Sequence, residues 1–180
     1  MNESALGARV FRALAPTDRP DVERLFRGDP LFRDSESDVA LELFDLGVGT
    51  GDGPPRDPDY RWVGCALGGR IVGCACFGPM PSTDGTFDLY WIAVAQQARG
   101  TGIGRQLLTQ VEHLVARDGG RLLVIETSGA SSYEGTRSFY LACGYAVLAT
   151  VRDFYAAGDD RVILGSLIEQ PPLALEPTVA

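Results

Sequence analysis

The chain has 180 residues, 45% of them hydrophobic and 22% charged, with a formal net charge of -8. That length suits one soluble globular domain, which buries roughly 70% of its unfolded surface and needs no disulfide or metal to hold together. The acidic balance argues against a protein that works by neutralising nucleic-acid phosphates, and suits either a cationic acceptor or simple solubility.

In chain order, Arg9–Ala13 alternates as a first strand. Thr17 is expected to cap a helix over Asp18–Arg27, with Pro20 tolerated in its first turn. Ser37 is expected to cap a second helix whose apolar stripe is Val39, Leu43 and Leu46, widened by Leu41 and Phe44. Residues 47–59, rich in Gly, Pro and Asp, read as a loop. Two strands, Tyr60–Leu67 and Arg70–Phe77, flank the two-residue turn signal Gly68-Gly69, and a third strand spans Thr86–Val94.

A helix follows from Ile103, with Leu107, Leu108, Val111, Leu114 and Val115 on one stripe and Gly119-Gly120 as its stop. Arg121–Glu126 reads as a buried strand and Glu134–Ala142 as a short helix ended by Gly144. Strands at Tyr145–Val151 and Arg161–Leu167 close the fold. This order predicts an α/β architecture: a mixed sheet with helices on its faces, forming a single domain over residues 1–168. The proline-rich tail, 169–180, is expected to be poorly ordered. The N-terminus lacks a basic start followed by an apolar run, and no apolar stretch reaches membrane-spanning length. A cytoplasmic protein is therefore the expectation.

The cysteines are Cys65, Cys74, Cys76 and Cys143. Cys74-Ala75-Cys76 sets two thiols on one strand face, but His113 is the lone histidine and no second cysteine pair has finger-like spacing. They read as small hydrophobes rather than metal ligands.

The segment with most chemistry is Gln97-Ala98-Arg99-Gly100-Thr101-Gly102-Ile103-Gly104-Arg105. A strand that runs through glycines into a helix start presents unpaired backbone N–H groups to an anion. Arg99 and Arg105 add positive charge there. A P-loop would need a lysine, which this segment lacks. The dinucleotide fingerprint Gly-x-Gly-x-x-Gly ends on Arg105 when started at Gly100 and on Leu107 when started at Gly102, although Glu126 lies about where a ribose-binding acid belongs. The plain alternative is that the glycines only shape a turn.

Gln97-Ala98-Arg99-Gly100-Thr101-Gly102 resembles the Q/R-x-x-G-x-G/A signature of the GNAT superfamily of acetyltransferases, and Phe139-Tyr140-Leu141-Ala142-Cys143-Gly144-Tyr145 is similar to its F-Y-x-x-x-G-F/Y segment. The likeness runs from about Tyr60 to Leu167. It implies a mostly antiparallel, twisted central sheet flanked by helices. It also implies acetyl-CoA as acyl donor with no metal, and transfer to a primary amine by direct attack. Residues 97–105 would cradle the pyrophosphate, the main chain of Ile92 would pair with pantetheine, the N–H around Val94 would polarise the thioester, and the Tyr140 phenol would protonate the departing thiolate. Where the family usually has asparagine and alanine, seven and four residues before that tyrosine, this chain has Tyr133 and Thr136. Arg137 nearby faces either CoA phosphate or solvent.

The general base is expected to be Glu126, at the end of its strand, or Asp88, expected to share a strand face with Tyr90, Ile92 and Val94. The alternative for each is a structural hydrogen-bonding role. The acidic, aromatic segments Arg152–Tyr155 and Gly158–Asp160, with Asp34, Glu36 and Asp38, are candidate acceptor-binding regions. They would suit an amino acid, a polyamine, an aminoglycoside-like compound or a protein N-terminus or lysine. A monomer or homodimer without nucleic-acid or membrane partners is expected. The competing reading is a non-catalytic acyl-CoA sensor; an NAD-dependent enzyme is a third.

Overall fold

The computed structural model describes residues 8–51 and 53–169. Seven strands form one sheet in the order β1-β2-β3-β4-β5-β7-β6. The strands are β1 (Val10–Ala13), β2 (Arg61–Leu67), β3 (Arg70–Pro79), β4 (Thr86–Val94), β5 (Leu122–Ser128), β6 (Ala146–Ala156) and β7 (Asp159–Leu167). Four helices accompany them: α1 (Arg19–Arg27), α2 (Asp34–Gly47), α3 (Ile103–Arg117) and α4 (Glu134–Ala142). The expected mixed, mostly antiparallel sheet is present, because every neighbouring pair is antiparallel except β4 and β5. Those two are joined by α3, the kind of helical crossover a parallel pair requires.

The tight β2–β3 turn forms as expected, with Gly68 and Gly69 at φ 58 and 81, the left-handed pair a two-residue hairpin needs. Each sheet face buries its own core. On one face, Leu107, Leu108, Val111 and Val115 of α3 pack with Phe77, Leu89, Leu123 and Ile125 of the sheet. On the other, Val22, Phe26, Leu41 and Phe44 of α1 and α2 pack over Trp62, Ile71, Cys74 and Cys76. The two strand thiols are thus core atoms, and burial pushes both pKa values up. No group of metal-ligating side chains occurs among the described residues, and no described helix is long and apolar enough to cross a membrane.

The structure corrects two expected caps. Thr17 lies inside a 3-10 turn, Pro16–Asp18, and the Asp18 carboxylate takes over the capping work by accepting the Ala15 N–H at 2.8 Å. Helix α2 begins at Asp34, because Glu36 reaches back to the Arg33 N–H at 2.8 Å and fixes the start earlier. Ser37 is consequently inside the helix and fully buried, and its hydroxyl has no hydrogen-bond partner among the described residues. The closing hairpin is also longer than expected. β6 continues to Ala156 through an irregularity between Val151 and Ala156, where Asp153 adopts φ 51. Apart from Glu169, the proline-rich tail lies outside the described residues.

One irregularity positions everything that follows. In the β3–β4 ladder, Cys76 pairs with Trp91 and Phe77 with Leu89, leaving Tyr90 as an extra residue. Such a bulge bends its strand and ends regular pairing. The parallel β4–β5 pairing covers only Thr86↔Leu122 to Leu89↔Ile125. Beyond it β4 pairs with β3 alone and β5 with β7 alone, so a gap opens between their C-terminal ends. Replacing Leu107, fully buried beneath this region, with alanine is expected to lower the unfolding free energy by about 2–5 kcal/mol, as read from urea denaturation.

Candidate active site

β4 leads through a short 3-10 turn, Gln96–Ala98, into the glycine-rich segment and α3. Gly100 and Gly102 have φ 72 and 88, and a Cβ added to either would meet nothing within 4 Å. Their left-handed backbone therefore curls the chain while leaving the space above the turn open. The first helical bond is donated by the Gln106 N–H to the Gly102 carbonyl. Every backbone N–H from Gly100 to Arg105 lacks an acceptor among the described residues. This run of outward donors at a 15-residue helix's N-terminus is suited to an anion such as a phosphate. Gly104 serves packing instead, since the Phe139 ring of α4 sits 3.4 Å from where its Cβ would be.

The two arginines of the segment are placed differently. Arg105 donates to the Ala142 carbonyl at the end of α4, at 2.8 Å. Arg99 turns away from the turn's donors: its Nε donates to the Val94 carbonyl at 3.2 Å, and its terminal nitrogen pairs with Asp29. A third arginine, Arg9, donates to the Thr101 carbonyl at 3.0 Å. Gln97 sits on the exposed side of the 3-10 turn.

The main-chain polar groups of Ile92 and Val94 lie on the side of β4 away from β3. The Ala95 N–H bonds to the Val72 carbonyl of β3. Strand alternation then turns the N–H and C=O groups of Val94 and Ile92 toward the opposite side, where β5 has departed. Their side chains pack with α3 and α4.

Asp88 does not share that face. The bulge at Tyr90 reverses the strand's alternation, so Asp88 and Tyr90 project toward the α1/α2 side while Ile92 and Val94 project toward α3. The expectation of a common face fails because it counted residues without the bulge. Glu126 also faces the α1/α2 side, since its neighbours Leu123 and Ile125 belong to the α3 core. The two candidate carboxylates therefore lie on one face of adjacent, diverging strands.

Their environments differ. Glu126 is ion-paired with Arg161 of β7, whose guanidinium stacks over Phe154 with its carbon 4.8 Å from the ring centroid. The Asp88 carboxylate makes no hydrogen bond or ion pair among the described residues. Burial pushes its pKa up to about 6, against a partial opposing pull from Arg161. The surrounding wall joins the acidic and aromatic segments singled out in the sequence. Tyr133 and Tyr155 both lie within the electrostatic reach of Glu36 and Asp159. Tyr133 donates its hydroxyl to the Leu31 carbonyl at 3.1 Å.

Tyr140 lies on the α3/α4 side, 4% exposed, with its ring 5.2 Å from Phe139 and 6.1 Å from Tyr145. Desolvation raises its pKa above that of a free phenol, so it holds its proton throughout the neutral range. Arg137 donates to the Ser128 and Ala130 carbonyls at 2.6 and 2.9 Å, which stitches the end of β5 to α4. Sequence reading missed Asp29, Arg161 and Arg9. Their partners lie tens of residues away and leave no local spacing signal. Substituting Gly102 with alanine is expected to lower thermal stability by about 1–2 kcal/mol without ligand, purely through left-handed backbone strain, since the added methyl meets open space.

The sequence matches the family model for the acetyltransferase (GNAT) family over residues 20–145. A crystal structure from Desulfovibrio desulfuricans, of a protein assigned to the acetyltransferases of the GNAT family, superposes with a TM-score of 0.83 at 40% identity. The match covers 90% of this chain and 100% of that one. The ribosomal-protein-S18-alanine N-acetyltransferase of Escherichia coli has the same fold at 17% identity and TM-score 0.71, covering 94% and 99% of the two chains. So does an aminoglycoside 6'-N-acetyltransferase solved with coenzyme A, at 17% identity and TM-score 0.70, covering 91% and 99%. No curated protein sequence matches the chain. Family model, identity and superposition agree with the splayed strands and the glycine-rich helix start: the chain belongs to the GNAT family of acetyltransferases.

Proposed function

We propose that the protein is an N-acetyltransferase that moves the acetyl group of acetyl-CoA to a primary amine by direct attack. The observation that carries this reading is the unpaired donor run from Gly100 to Arg105, continuous with a gap into which Ile92 and Val94 direct their main-chain groups. Together they suit a ligand with a pyrophosphate at one end and an extended amide-bearing arm at the other. The structural relative solved with coenzyme A supports the same choice of donor.

In the proposed reaction the amine enters from the α1/α2 side, over Asp88, Glu126 and Arg161. The amine nitrogen forms a bond to the thioester carbonyl carbon, the carbon–sulfur bond breaks, and the amine's proton passes to a carboxylate. Asp88 suits that last step, because a carboxylate with a pKa of about 6 is both largely ionised near neutrality and basic enough to accept a proton. Glu126, already neutralised by Arg161, orients the arginine and shapes the field around Asp88. Main-chain N–H groups near Val94 would stabilise charge growing on the thioester oxygen. The Tyr140 phenol, protonated throughout the neutral range, would deliver a proton to the CoA thiolate. Glu36, Asp159, Tyr133 and Tyr155 would receive a cationic acceptor.

A thermal-shift titration with acetyl-CoA, followed by a thiol-release assay across amines, tests this. Stabilisation and turnover of at least one amine class are expected. Stabilisation with silence across a broad panel would instead favour an acyl-CoA sensor, and stabilisation by NAD alone would overturn both readings.

Asp88→Asn makes a sharper case. Loss of the base is expected to reduce kcat/KM by about 100-fold or more and to remove the rise in rate that accompanies ionisation near pH 6. The same variant should be more stable than the parent. A carboxyl whose folded pKa exceeds its unfolded value binds its proton more tightly in the native state. Its stabilising contribution is therefore present below the unfolded pKa and lost as pH rises through about 6. Above that pH the parent carries a buried charge that asparagine lacks, a difference of about 2–3 kcal/mol. Urea titrations at acid and neutral pH should show the gap open as pH rises. A variant that keeps its rate and pH profile removes Asp88 from the mechanism.

A further inference from the structure

The segment between α1 and α2, residues 28–33, is tied by side chains to both sides of the β4–β5 gap. On the β4 side, Gln96 donates to the Gly28 carbonyl at 3.3 Å and Arg99 pairs with Asp29. On the β5 side, Tyr133, at the start of α4, donates to the Leu31 carbonyl at 3.1 Å. The segment thus spans the gap as a strap on the acceptor side, and its last residue, Arg33, is bonded through its N–H to Glu36 of the proposed acceptor wall.

Asp29 is the strap's central residue. It is only 5% exposed, its Oδ1 accepts the Leu31 N–H at 3.1 Å, and its Oδ2 takes the Arg99 guanidinium. A carboxylate buried to that degree is stable only with its cation in place. The same guanidinium holds the Val94 carbonyl, at the end of β4 and at the mouth of the gap. Arg99 directly precedes Gly100, the first of the outward backbone donors. One side chain therefore touches the strand end and the strap while its own backbone opens the anion-binding turn.

Resting on the reading of that turn as the CoA pyrophosphate site, we propose that Arg99 is a positioning residue. It transmits occupancy of the turn to the strap through Asp29, so that donor binding forms the acceptor site. An anion held by the N–H groups of 100–105 fixes the backbone around Arg99 and Gly100. With that backbone fixed, the guanidinium stays on Asp29 and the strap opens less often. Coupling of this kind needs no large displacement, because ligand-induced ordering at one end lowers the cost of ordering the other. Neither contact is phosphate binding, which is why the motif alone suggests a different role for Arg99.

Hydrogen exchange of the amides in residues 28–33, measured with and without CoA, tests the coupling, and calorimetric titration of CoA runs in parallel. In the parent protein CoA is expected to slow exchange in the strap by roughly fivefold or more. Arg99→Gln should still bind CoA through the backbone donors while losing that slowing. Arg99→Lys restores the charge but not the two-pronged contact, so it should recover the slowing only partly, and it guards against a folding defect in the glutamine variant. Tyr133→Phe cuts the strap's other anchor. It should raise basal exchange and keep the CoA-dependent slowing. CoA binding with unchanged exchange in 28–33, or undiminished slowing in Arg99→Gln, overturns the coupling and leaves the donor assignment intact. Absence of a CoA binding signal in the parent overturns the donor assignment and the coupling with it.

Discussion

The structure depends on one mismatch in the β3–β4 ladder: the extra residue at Tyr90. The bend it introduces lets β4 leave β5 after Leu89 and Ile125, and the two strands then follow different partners. Backbone groups that a continuous sheet would pair lack a strand partner at Ile92 and Val94, where only the Val94 carbonyl is taken up, by Arg99, among the described residues. Such groups are costly to bury alone, so a fold that leaves them unpaired is arranged for something else to pair with them. The bulge also inverts which side chains look which way. It puts Asp88 on the α1/α2 side and the side chains of Ile92 and Val94 on the α3 side, so the proposed donor and acceptor machinery occupy opposite faces of a single strand.

The same division explains the charge arrangement. The chain is acidic overall, yet the turn before α3 needs no fixed cation on its donors, because a helix start with free N–H groups is itself an anion site. Its arginines can then act as tethers: Arg9 to Thr101, Arg99 to Asp29 and Arg105 to the end of α4. On the far face one arginine, Arg161, is set among Asp88, Glu126 and the Phe154 ring. Its pairing with Glu126 leaves Asp88 without a direct counter-ion. Desolvation therefore dominates there and pushes the carboxyl pKa up to about 6.

What was legible in the sequence follows the range of the interactions. Strand β4 and helices α3 and α4 could be bounded closely from periodicity and glycine stops, since these signals act within a few residues. The glycine-rich turn was legible for the same reason, as its conformation is set by Gly100 and Gly102 themselves. The starts of α1 and α2 differ from the expected Thr17 and Ser37 caps because Asp18 and Glu36 reach back to the Ala15 and Arg33 N–H groups and start the helical turns earlier, a choice that residue preferences alone do not resolve. The bulge has no sequence signal, because nothing in Phe87–Val94 distinguishes a strand with one extra residue from a regular one. Its cause lies in the pairing with β3. Asp29 and Arg161 are invisible locally, since their partners Arg99 and Glu126 come from other elements.

Asp29 is buried and Asp88 half-buried, two carboxylates in costly positions, and the fold treats them oppositely. Asp29 is given a full counter-charge and a backbone donor, as expected of a residue that must hold one conformation. Asp88 is given neither, as expected of a residue whose use lies in changing protonation state. A structural role alone would be served better at Asp88 by a neutral side chain, which avoids the desolvation cost without losing any contact the carboxylate makes. An unpaired acid beside the point where the strands part is therefore a feature of this sheet that packing does not explain, and it is the one on which the proposed proton transfer rests.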